Sequence, residues 1–201
     1  GFSQSLPFNF EGDITTSDFS NFDGGVATVI TNPNPSGINT SASVAQIVRD
    51  GGKPWSGSKI LLADNLDFSV KTKITMKVYT KAAVGTTIKL KLEGTGPAVD
   101  VDAVTTVSSA WETLEWIFAG TENNLNELVF MFDFGNVGDG SVNSTFYFDD
   151  VEQVSGPTAP QPTALPIDFE SGIVNTDFLN YNGSTAAIVS NPQADAANPS
   201  G

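Results

Sequence analysis

The sequence alternates strictly at Ile88-Lys-Leu-Lys-Leu-Glu93, where every second residue is apolar and the residues between are charged. Successive side chains of a β-strand point to opposite faces of the sheet, so this pattern predicts a strand with one buried and one solvated face. The same period of two appears upstream at Ile74-Thr-Met-Lys-Val-Tyr79 and downstream at Leu114-Glu-Trp-Ile-Phe118. It appears again at Leu128-Val-Phe-Met-Phe-Asp-Phe134. These stretches predict a fold built from β-sheet.

Further strands are predicted on both sides of this central part. Turns rich in Gly, Asn, Asp and Pro separate them at intervals of roughly ten residues. No convincing amphipathic helix is found, and about ten strands in such a chain are typical of a β-sandwich. We therefore predict an all-β fold, a two-sheet antiparallel β-sandwich of the jelly-roll type. The additional strands are expected near residues 7–11, 25–31, 43–49, 58–62, 98–107 and 144–154.

Composition excludes several classes of function. The chain has no Cys and no His, which removes thiol nucleophiles, disulfides, zinc sites of the Cys/His kind and imidazole-based triads. The formal net charge is −14, and all nine cations fall between Arg49 and Lys91. So acidic a chain is repelled by nucleic acid and anionic lipid. No apolar stretch approaches the roughly 18 residues of a membrane span. We expect neither a nucleic-acid partner nor direct membrane insertion.

A repeat organises the chain. Leu6-Pro-Phe-Asn-Phe-Glu11 is echoed by Leu165-Pro-Ile-Asp-Phe-Glu170, and matches continue in the same register without a gap as far as Asn191-Pro192. The stretch between the copies is rich in Pro and Thr and predicts an extended linker. We therefore predict a tandem array, with a module at 1–154, a linker at 155–164 and the N-terminal fragment of a second, homologous module at 165–201.

Five motifs follow one another along the first module: Phe8-Asn-Phe-Glu11, Asn32-Pro33, Lys53-Pro-Trp-Ser-Gly57, Ala110-Trp-Glu-Thr-Leu114 and Phe146-Tyr-Phe-Asp-Asp-Val151. In this order they resemble a β-sandwich carbohydrate-binding module of the type found in multimodular surface glycan-binding proteins and laminarinases of marine Bacteroidetes. The resemblance covers residues 6–154 and begins again at 165. It implies a jelly-roll fold, β-glucan ligands such as laminarin, and one structural calcium ion.

Sugar binding calls for exposed aromatic rings, because a pyranose presents an apolar C–H face surrounded by hydroxyls that need directional partners. Trp55 is the candidate for stacking, since it lies in a Gly/Pro/Ser loop outside any alternating pattern. Arg49 and Lys53 are close to it in sequence and are expected to reach sugar hydroxyls. The alternative is that Trp55 covers the core. Trp111 and Trp116 are assigned to core packing.

A second candidate surface is the polar face of two strands that we expect to be adjacent. Tyr79, with Lys77, lies on one strand, and Lys91 and Glu93, with Lys89, lie on the other. On a concave sheet these side chains would line a glycan groove. The alternative is an ordinary solvated face with cross-strand ion pairs.

Acidic residues at the two ends of the module suggest a calcium site. Glu11 closes the first predicted strand, Asp149 and Asp150 lie in the last, and these strands can be neighbours in a jelly roll. The resemblance implies that the matching Glu and Asp hold a structural calcium, which takes about six to eight oxygen ligands. Asn34 or Asn39 could add oxygens. The alternative is that the carboxylates are solvated charges that discourage pairing at a sheet edge.

A catalytic function is the alternative to binding, and it depends on the carboxylates of the chain. A glycosidase pairs two carboxylates at a defined separation, and Glu93, Glu112, Glu115 and Asp133 are available for such a pair. The small module, the repeat and the linker favour a non-enzyme. The oxygen-rich stretch 133–143 does not match the spacing of a calcium loop of the EF-hand type, so we interpret it as a hairpin loop.

Together these features predict non-catalytic binding of a neutral polysaccharide, a β-glucan such as laminarin, by a monomeric module of a multimodular chain. Linked copies would raise the effective concentration of weak sites. We expect an extracellular or cell-surface location, attached to the outer membrane through other parts of the parent protein. The alternatives are a spacer or adhesin domain without sugar binding and a glycoside hydrolase accessory module of other specificity.

Overall fold

A computed structural model describes residues 4–159, 178 and 185–190. The chain divides into two compact units, Gly1–Thr158 and Ala159–Gly201. All strands of the described residues belong to the first unit. The predicted second copy at 165–201 lies almost entirely outside the described residues, as does the linker from 160 onward, so the tandem arrangement stays a prediction.

The described residues form eleven strands, nine of which coincide closely with predicted ones. Two short strands, the first and the tenth, were not predicted from the sequence. The strands are β1 (Phe19–Phe22), β2 (Gly25–Thr31), β3 (Ser43–Gly51), β4 (Gly57–Leu61), β5 (Lys73–Thr80), β6 (Thr87–Gly94), β7 (Val99–Val104), β8 (Trp111–Ile117), β9 (Leu125–Phe132), β10 (Gly138–Asp139) and β11 (Thr145–Val154).

Helical structure is limited, in the described part of the chain, to two single turns of 3-10 helix, Thr16–Asp18 and Val142–Ser144. No helix among the described residues has the length and apolar character to cross a membrane. The predicted all-β class is confirmed.

The strands form two antiparallel sheets. The five-stranded sheet has the order β1-β4-β9-β6-β7. In the six-stranded sheet β3, β11, β5 and β8 follow one another, and β2 and β10 also pair with β3. The last long strand, β11, therefore lies between β3 and β5 in the middle of its sheet. The predicted two-sheet jelly roll is confirmed.

The core lies between the sheets and is built from the alternating positions that the sequence predicted. Ile88, Leu90 and Leu92 on β6 are fully buried in it. Trp116 on β8 is also fully buried, and its indole N–H donates a 2.9 Å hydrogen bond to the carbonyl of Ile88, so the polar end of this ring is satisfied. The assignment of Trp116 to core packing is confirmed.

The predicted strand at 7–11 is wrong. Only Phe8 forms a β-bridge, with Val151 of β11, through two backbone hydrogen bonds of 2.9 Å. Phe10 has a φ of 55° and Gly12 a φ of 119°, so the chain turns after the bridge instead of extending. Phe8 and Phe10 are nevertheless fully buried and close one side of the core.

Candidate functional site

A groove of about 500 Å³ lies on the outer face of the five-stranded sheet. The lining side chains of β4, β6, β7 and β9 alternate along their strands with core residues, and they therefore project away from the sandwich. The groove is lined by Phe22, Trp55, Lys59, Lys89, Lys91, Glu93, Asp100, Val129, Met131 and Phe134.

The floor of the groove is apolar. Val129 and Met131 project outward from β9, and their neighbours Leu128, Phe130 and Phe132 project into the core. Although Val129 and Met131 are on the outer face, they are only 3% and 6% exposed because the groove walls cover them. The floor is therefore a narrow apolar strip flanked by long polar side chains.

Aromatic rings are gathered at one end of this strip. Phe22 closes β1 opposite Gly57, and Trp55 lies in the loop just before β4. The Trp55 side chain is 47% exposed, and its Nε1 donates a 2.8 Å hydrogen bond to Asp23 Oδ2. The indole is thus held at its Nε1 edge, and about half of the residue remains exposed beside the groove. The alternative that Trp55 covers the core is wrong.

Phe134 also reaches the groove, against the simple alternation of its strand. The sequence pattern places it on the buried face with Phe130 and Phe132, but β9 ends at Phe132 and Asp133 has a φ of 51°. This left-handed residue turns the chain, and Phe134 emerges 37% exposed. Its ring lies 4.5 Å from Lys89 Nζ, a cation–π contact that fixes it beside the strip.

An ion-paired cluster of two lysines and two glutamates crosses the strip from β4 over β9 to β6, at the end away from the aromatic rings. Lys59 Nζ lies 2.6 Å from Glu127 Oε2 and 3.6 Å from Glu93 Oε2, and Lys91 Nζ lies 2.6 Å from Glu93 Oε1. The hydrogen bond from Lys91 lowers the pKa of Glu93, and the bond to Glu127 raises the pKa of Lys59. Both shifts favour the charged forms of Glu93 and Lys59.

On the β6–β7 side of the strip, Lys89 of β6 lies between two aspartates of β7. Lys89 Nζ lies 2.9 Å from both Asp100 Oδ1 and Asp102 Oδ1. Burial alone would lower the pKa of Lys89, but hydrogen bonds and charge from the two aspartates together raise it. Every lysine of the groove therefore has a carboxylate partner, and the three lysines are balanced by four carboxylates.

The predicted sugar-binding residues lie in the groove, beside it or away from it. Trp55, Lys91 and Glu93 all line the groove. Lys53 does not line it, but its Nζ lies 6.0 Å from the Trp55 ring, and the residue is exposed. Arg49 and Tyr79 are placed elsewhere.

Arg49 does not reach a ligand surface, so the prediction that it contacts sugar hydroxyls is wrong. It follows Ala45 and Ile47 on the inward face of β3 and is 0% exposed. Its guanidinium donates to backbone carbonyls, with the shortest bond, 2.6 Å, to Asn136 O. A buried cation so engaged has no donor left to offer the solvent.

Tyr79 lies on the wrong sheet to join Lys91 and Glu93. It belongs to β5 of the six-stranded sheet, whereas β6 is in the five-stranded sheet, so the expected adjacency of these strands is wrong. Tyr79 is 7% exposed and packs with Val44 and Trp111 in a small cluster separate from the main core. Trp111, assigned to core packing, is buried in this satellite cluster, and its Nε1 donates 2.8 Å to Asn34 O.

Two of the predicted calcium ligands approach the same short segment. Ser43 N donates to Glu11 Oε1 at 2.9 Å, and Ser41 Oγ donates to Asp149 Oδ2 at 2.5 Å. Asn39 Nδ2 donates to the same Asp149 oxygen at 2.9 Å. Asp149 is fully buried, and this burial raises its pKa. N–H and O–H groups thus face the two carboxylates, and Asn39 Oδ1 accepts from Ser41; the same segment carries the amide, hydroxyl and carbonyl oxygens that a hard cation takes.

The other two predicted ligands point away from that segment. Asp150 has a φ of 47° at an irregularity in β11, and its Oδ2 pairs with Lys77 Nζ at 2.6 Å on the outer face. The backbone oxygen of Asn34 accepts the indole N–H of Trp111 instead. The structure therefore corrects the proposed set, because it does not bring Asn34 and Asp150 together with Glu11 and Asp149. No cluster of three or more metal-binding acidic side chains occurs in the described part of the chain.

The oxygen-rich stretch 133–143 is a turn-rich loop but not a hairpin, because it leads from β9 in one sheet to β11 in the other and contains β10. Asp139 Oδ1 accepts from Ser141 N at 3.0 Å and from Ser144 Oγ at 2.9 Å. The hydrogen bonds from Ser141 lower the pKa of Asp139 to about 2. Its carboxylate is thus used to close the turn before the second 3-10 helix.

Sequence reasoning did not single out Phe22, Lys59, Asp100, Val129, Met131 or Phe134 as ligand-binding residues. A signal was present for the apolar strip, since Val129 and Met131 are apolar at positions that alternate with an already complete core face. Two apolar side chains that point outward, between strands whose outer faces are charged, indicate a part of the surface that other side chains cover. Phe22 and Phe134 carried no such signal, because their exposure depends on how the turns beside them fold.

Comparison with known proteins was made at the levels of sequence and structure. No protein-family model matches the sequence, and no curated protein does. A family 11 carbohydrate-binding module from Clostridium thermocellum, solved with a β-1,3-1,4-mixed-linked tetrasaccharide, matches with a TM-score of 0.51 at 13% identity, over 71% of this chain and 91% of that chain.

Two further structures match. The CBM22-1 xylan-binding domain from Paenibacillus barcinonensis Xyn10C has a TM-score of 0.50 at 15% identity, over 78% of this chain and 99% of that chain. An exo-β-agarase has a TM-score of 0.55 at 12% identity, over 76% of this chain but only 26% of the longer enzyme. At such identities the likeness concerns the fold: the first unit has the β-sandwich, jelly-roll fold of carbohydrate-binding modules.

Proposed function

We propose that the first unit is a non-catalytic module that binds a neutral polysaccharide in the groove of the five-stranded sheet. The observation that carries this proposal is the half-exposed Trp55, held at its edge by Asp23 beside the apolar strip of Val129 and Met131. An aromatic face next to an apolar floor with polar walls suits the apolar face and hydroxyl rim of a pyranose.

The charge of the groove favours a neutral ligand. Its three lysines are engaged by four carboxylates, so the walls hold a slight excess of negative charge. An acidic polysaccharide would have to displace these carboxylates from Lys59, Lys89 and Lys91 and would be repelled by them. Uncharged hydroxyls can instead exchange hydrogen bonds with the ion-paired groups without breaking the pairs.

The carboxylates that a glycosidase could have used are not arranged as a catalytic pair. Glu93 has a lowered pKa, the reverse of what a general acid requires. Glu115 pairs with Lys73 at 2.7 Å on the six-stranded sheet, and Glu112 holds the Thr106 amide at 2.9 Å. Asp133 lies 3.5 Å from the buried Arg49. This dispersal supports binding over hydrolysis.

Among neutral polysaccharides we propose a β-glucan such as laminarin or a mixed-linkage glucan. The support is the resemblance stated above and the mixed-linked tetrasaccharide bound by the family 11 module of similar fold. Because such polymers lie outside cells, we propose an extracellular or cell-surface location for this module.

Affinity gel electrophoresis tests the function directly. The protein is run through gels that contain laminarin, mixed-linkage glucan, xylan or alginate. We expect retardation by at least one neutral glucan and none by alginate. If no polysaccharide retards the protein, the module is a spacer or adhesin domain and the proposal fails. Release of reducing sugar from any of them would overturn its non-catalytic part.

We further propose one structural calcium ion held by Glu11 and Asp149, with oxygens of the Asn39–Ser43 segment. A fully buried carboxylate is costly without a compensating cation, and among the described residues Asp149 accepts hydrogen bonds but forms no ion pair. A bound ion would also tie the Phe8–Val151 bridge to the segment before β3, since Glu11 and Asp149 lie close to these two residues in sequence.

A further inference from the structure

Arg49 joins the two sheets at the aromatic end of the groove. It is the last inward residue of β3 in the six-stranded sheet, and its side chain extends between the sheets toward the loops at the end of the five-stranded sheet. With none of its surface exposed, it is among the largest fully buried side chains of the described residues. Burial lowers its pKa, although the nearby Asp133 carboxylate opposes this effect.

The guanidinium first binds the loop that carries Trp55, residues 52–56. Arg49 Nε donates to Ser56 Oγ at 3.0 Å and more weakly to Ser56 O at 3.4 Å. Arg49 Nη2 donates to Pro54 O at 3.1 Å and to Lys53 O at 3.4 Å. Backbone atoms on both sides of Trp55 are therefore held by one side chain.

The same guanidinium binds the loop that carries Phe134, residues 133–137. Arg49 Nη1 donates to Asp133 O at 3.0 Å, and Nη2 donates to Asn136 O at 2.6 Å. Gly135 N donates to Pro54 O at 2.9 Å, so the two loops also touch each other directly. Arg49 thus contacts the backbone on each side of both exposed rings.

Only arginine offers this pattern of donors. Its planar fork carries five N–H groups in fixed directions, whereas lysine presents three donors on one flexible atom. The acceptors are mostly main-chain carbonyls of the two loops. Pro54 O, Lys53 O and Asp133 O each also accept a backbone N–H within or between these loops, so the fork adds its bonds to turns that are already formed. The loop that holds Trp55 has little freedom to adjust, since Gly52 has a φ of 72° and an added Cβ would lie 1.7 Å from Asp23 O.

We propose that Arg49 is a positioning residue for glycan binding, which fixes Trp55 and Phe134 relative to each other before the ligand arrives. This inference rests on the proposed function, but its structural part stands on the loop contacts alone. A preformed pair of rings spares the ligand the cost of ordering two loops. Arg49 touches no ligand in this arrangement and acts through the loops.

Amide hydrogen exchange and polysaccharide binding, measured on the same variants, test the proposal. Arg49→Lys keeps the charge and loses most of the fork. We expect amides of residues 52–56 and 133–137 to exchange at least about tenfold faster, while strands β5 and β11 keep their protection. Affinity for the retarding glucan should fall by about tenfold or more. Ser56→Ala removes one acceptor of the guanidinium, the Ser56 hydroxyl, and should show the same changes to a smaller degree. This variant tests the proposal if Arg49→Lys does not fold.

Ile47→Val is the matched control, because Ile47 precedes Arg49 on the same face of β3 and is equally buried. It should leave the difference between loop and strand exchange unchanged. The proposal is overturned if Arg49→Lys and Ser56→Ala leave the loops as protected as in the wild type, or if the loops loosen while affinity is kept. If the wild type binds no polysaccharide, faster exchange in the two loops of Arg49→Lys would still show that Arg49 holds these loops. Only the proposed function would then fail.

Discussion

The indole N–H of Trp55 donates to Asp23 Oδ2 at 2.8 Å, so the ring is anchored from the β1–β2 turn beside the groove that it lines. Binding through a ring face depends on area and shape and not on the indole hydrogen bond. We therefore expect Trp55→Ala to weaken glucan binding by at least about tenfold. Calorimetric titration would measure this loss.

The matched control for Trp55→Ala is Ile117→Ala. Ile117 is 46% exposed on β8 of the opposite sheet, close to the 47% of Trp55. Ile117→Ala should leave affinity unchanged, and neither variant should shift the melting temperature by more than a few degrees. Undiminished binding by Trp55→Ala would remove this residue from the site.

A second prediction concerns the charge of the ligand. Replacing Asp100 and Asp102 by Asn frees Lys89 and gives the groove a net positive charge. The double variant should be retarded by alginate, and this retardation should decrease with added salt because it rests on charge. Lys73 pairs with Glu115 outside the groove, so Glu115→Gln is the control and should gain no affinity for alginate. Retardation of the wild type by alginate would contradict the assignment to neutral glycans.

A third prediction concerns pH. The pKa of Glu93 is lowered below its ordinary value of 4.5, so the stabilisation from this carboxylate is present above pH 4.5 and is lost as the pH falls through the lowered pKa. The pKa values of Lys59 and Lys89 are raised above 10.5, so their contribution is complete below pH 10.5 and is lost as the pH rises through the raised values. Affinity should be flat between about pH 5 and pH 10.

Titration of binding by affinity electrophoresis across that range checks the plateau. Glu93→Gln should reduce the decline on the acid side, because the contribution of this carboxylate is then absent, while Glu127, Asp100 and Asp102 still pair with the lysines. A midpoint of the decline close to neutral pH would contradict the ion-paired walls described above.

The fourth prediction tests the proposed calcium ion by heat denaturation. Chelation should lower the melting temperature of the wild type, since removing a ligand that binds only the folded state reduces stability. Glu11→Gln and Asp149→Asn should be less stable and insensitive to the chelator. Asp150→Asn is the matched control: this neighbouring carboxylate pairs with Lys77 on the surface, so the variant should keep the full response to chelation. Equal melting temperatures with and without chelator would reject the ion.

Sequence patterns predicted the core faces of β5, β6 and β8 because burial of one face imposes a period of two. They did not predict which strands are neighbours. Tyr79 and Lys91 were expected on one surface, but the connection between β5 and β6 crosses from one sheet to the other. An alternating strand has the same sequence pattern in either sheet, so pairing is decided by tertiary contacts that the pattern does not contain.

The candidate site was predicted only in part for related reasons. Trp55, Lys91 and Glu93 were found because a loop aromatic and solvated strand faces leave a mark in the sequence. Phe134 escaped because the left-handed residue Asp133 reverses the expected side. Arg49 was interpreted from its distance to Trp55 in sequence, although its place after Ala45 and Ile47 on one face of β3 indicated burial. Alternation was the better guide.

The central place of β11 has a consequence for how the protein comes into being on the ribosome. Until Val154 has left the exit tunnel, β2–β3 and β5–β8 are two separate halves of a sheet, each with an open edge beside the gap that β11 will fill. The bridge between Phe8 and Val151 closes at the same moment, and it joins the start of the module to its final strand. The first unit would therefore complete its fold as a single late event, and nascent chains arrested before that strand would expose sheet edges to their neighbours.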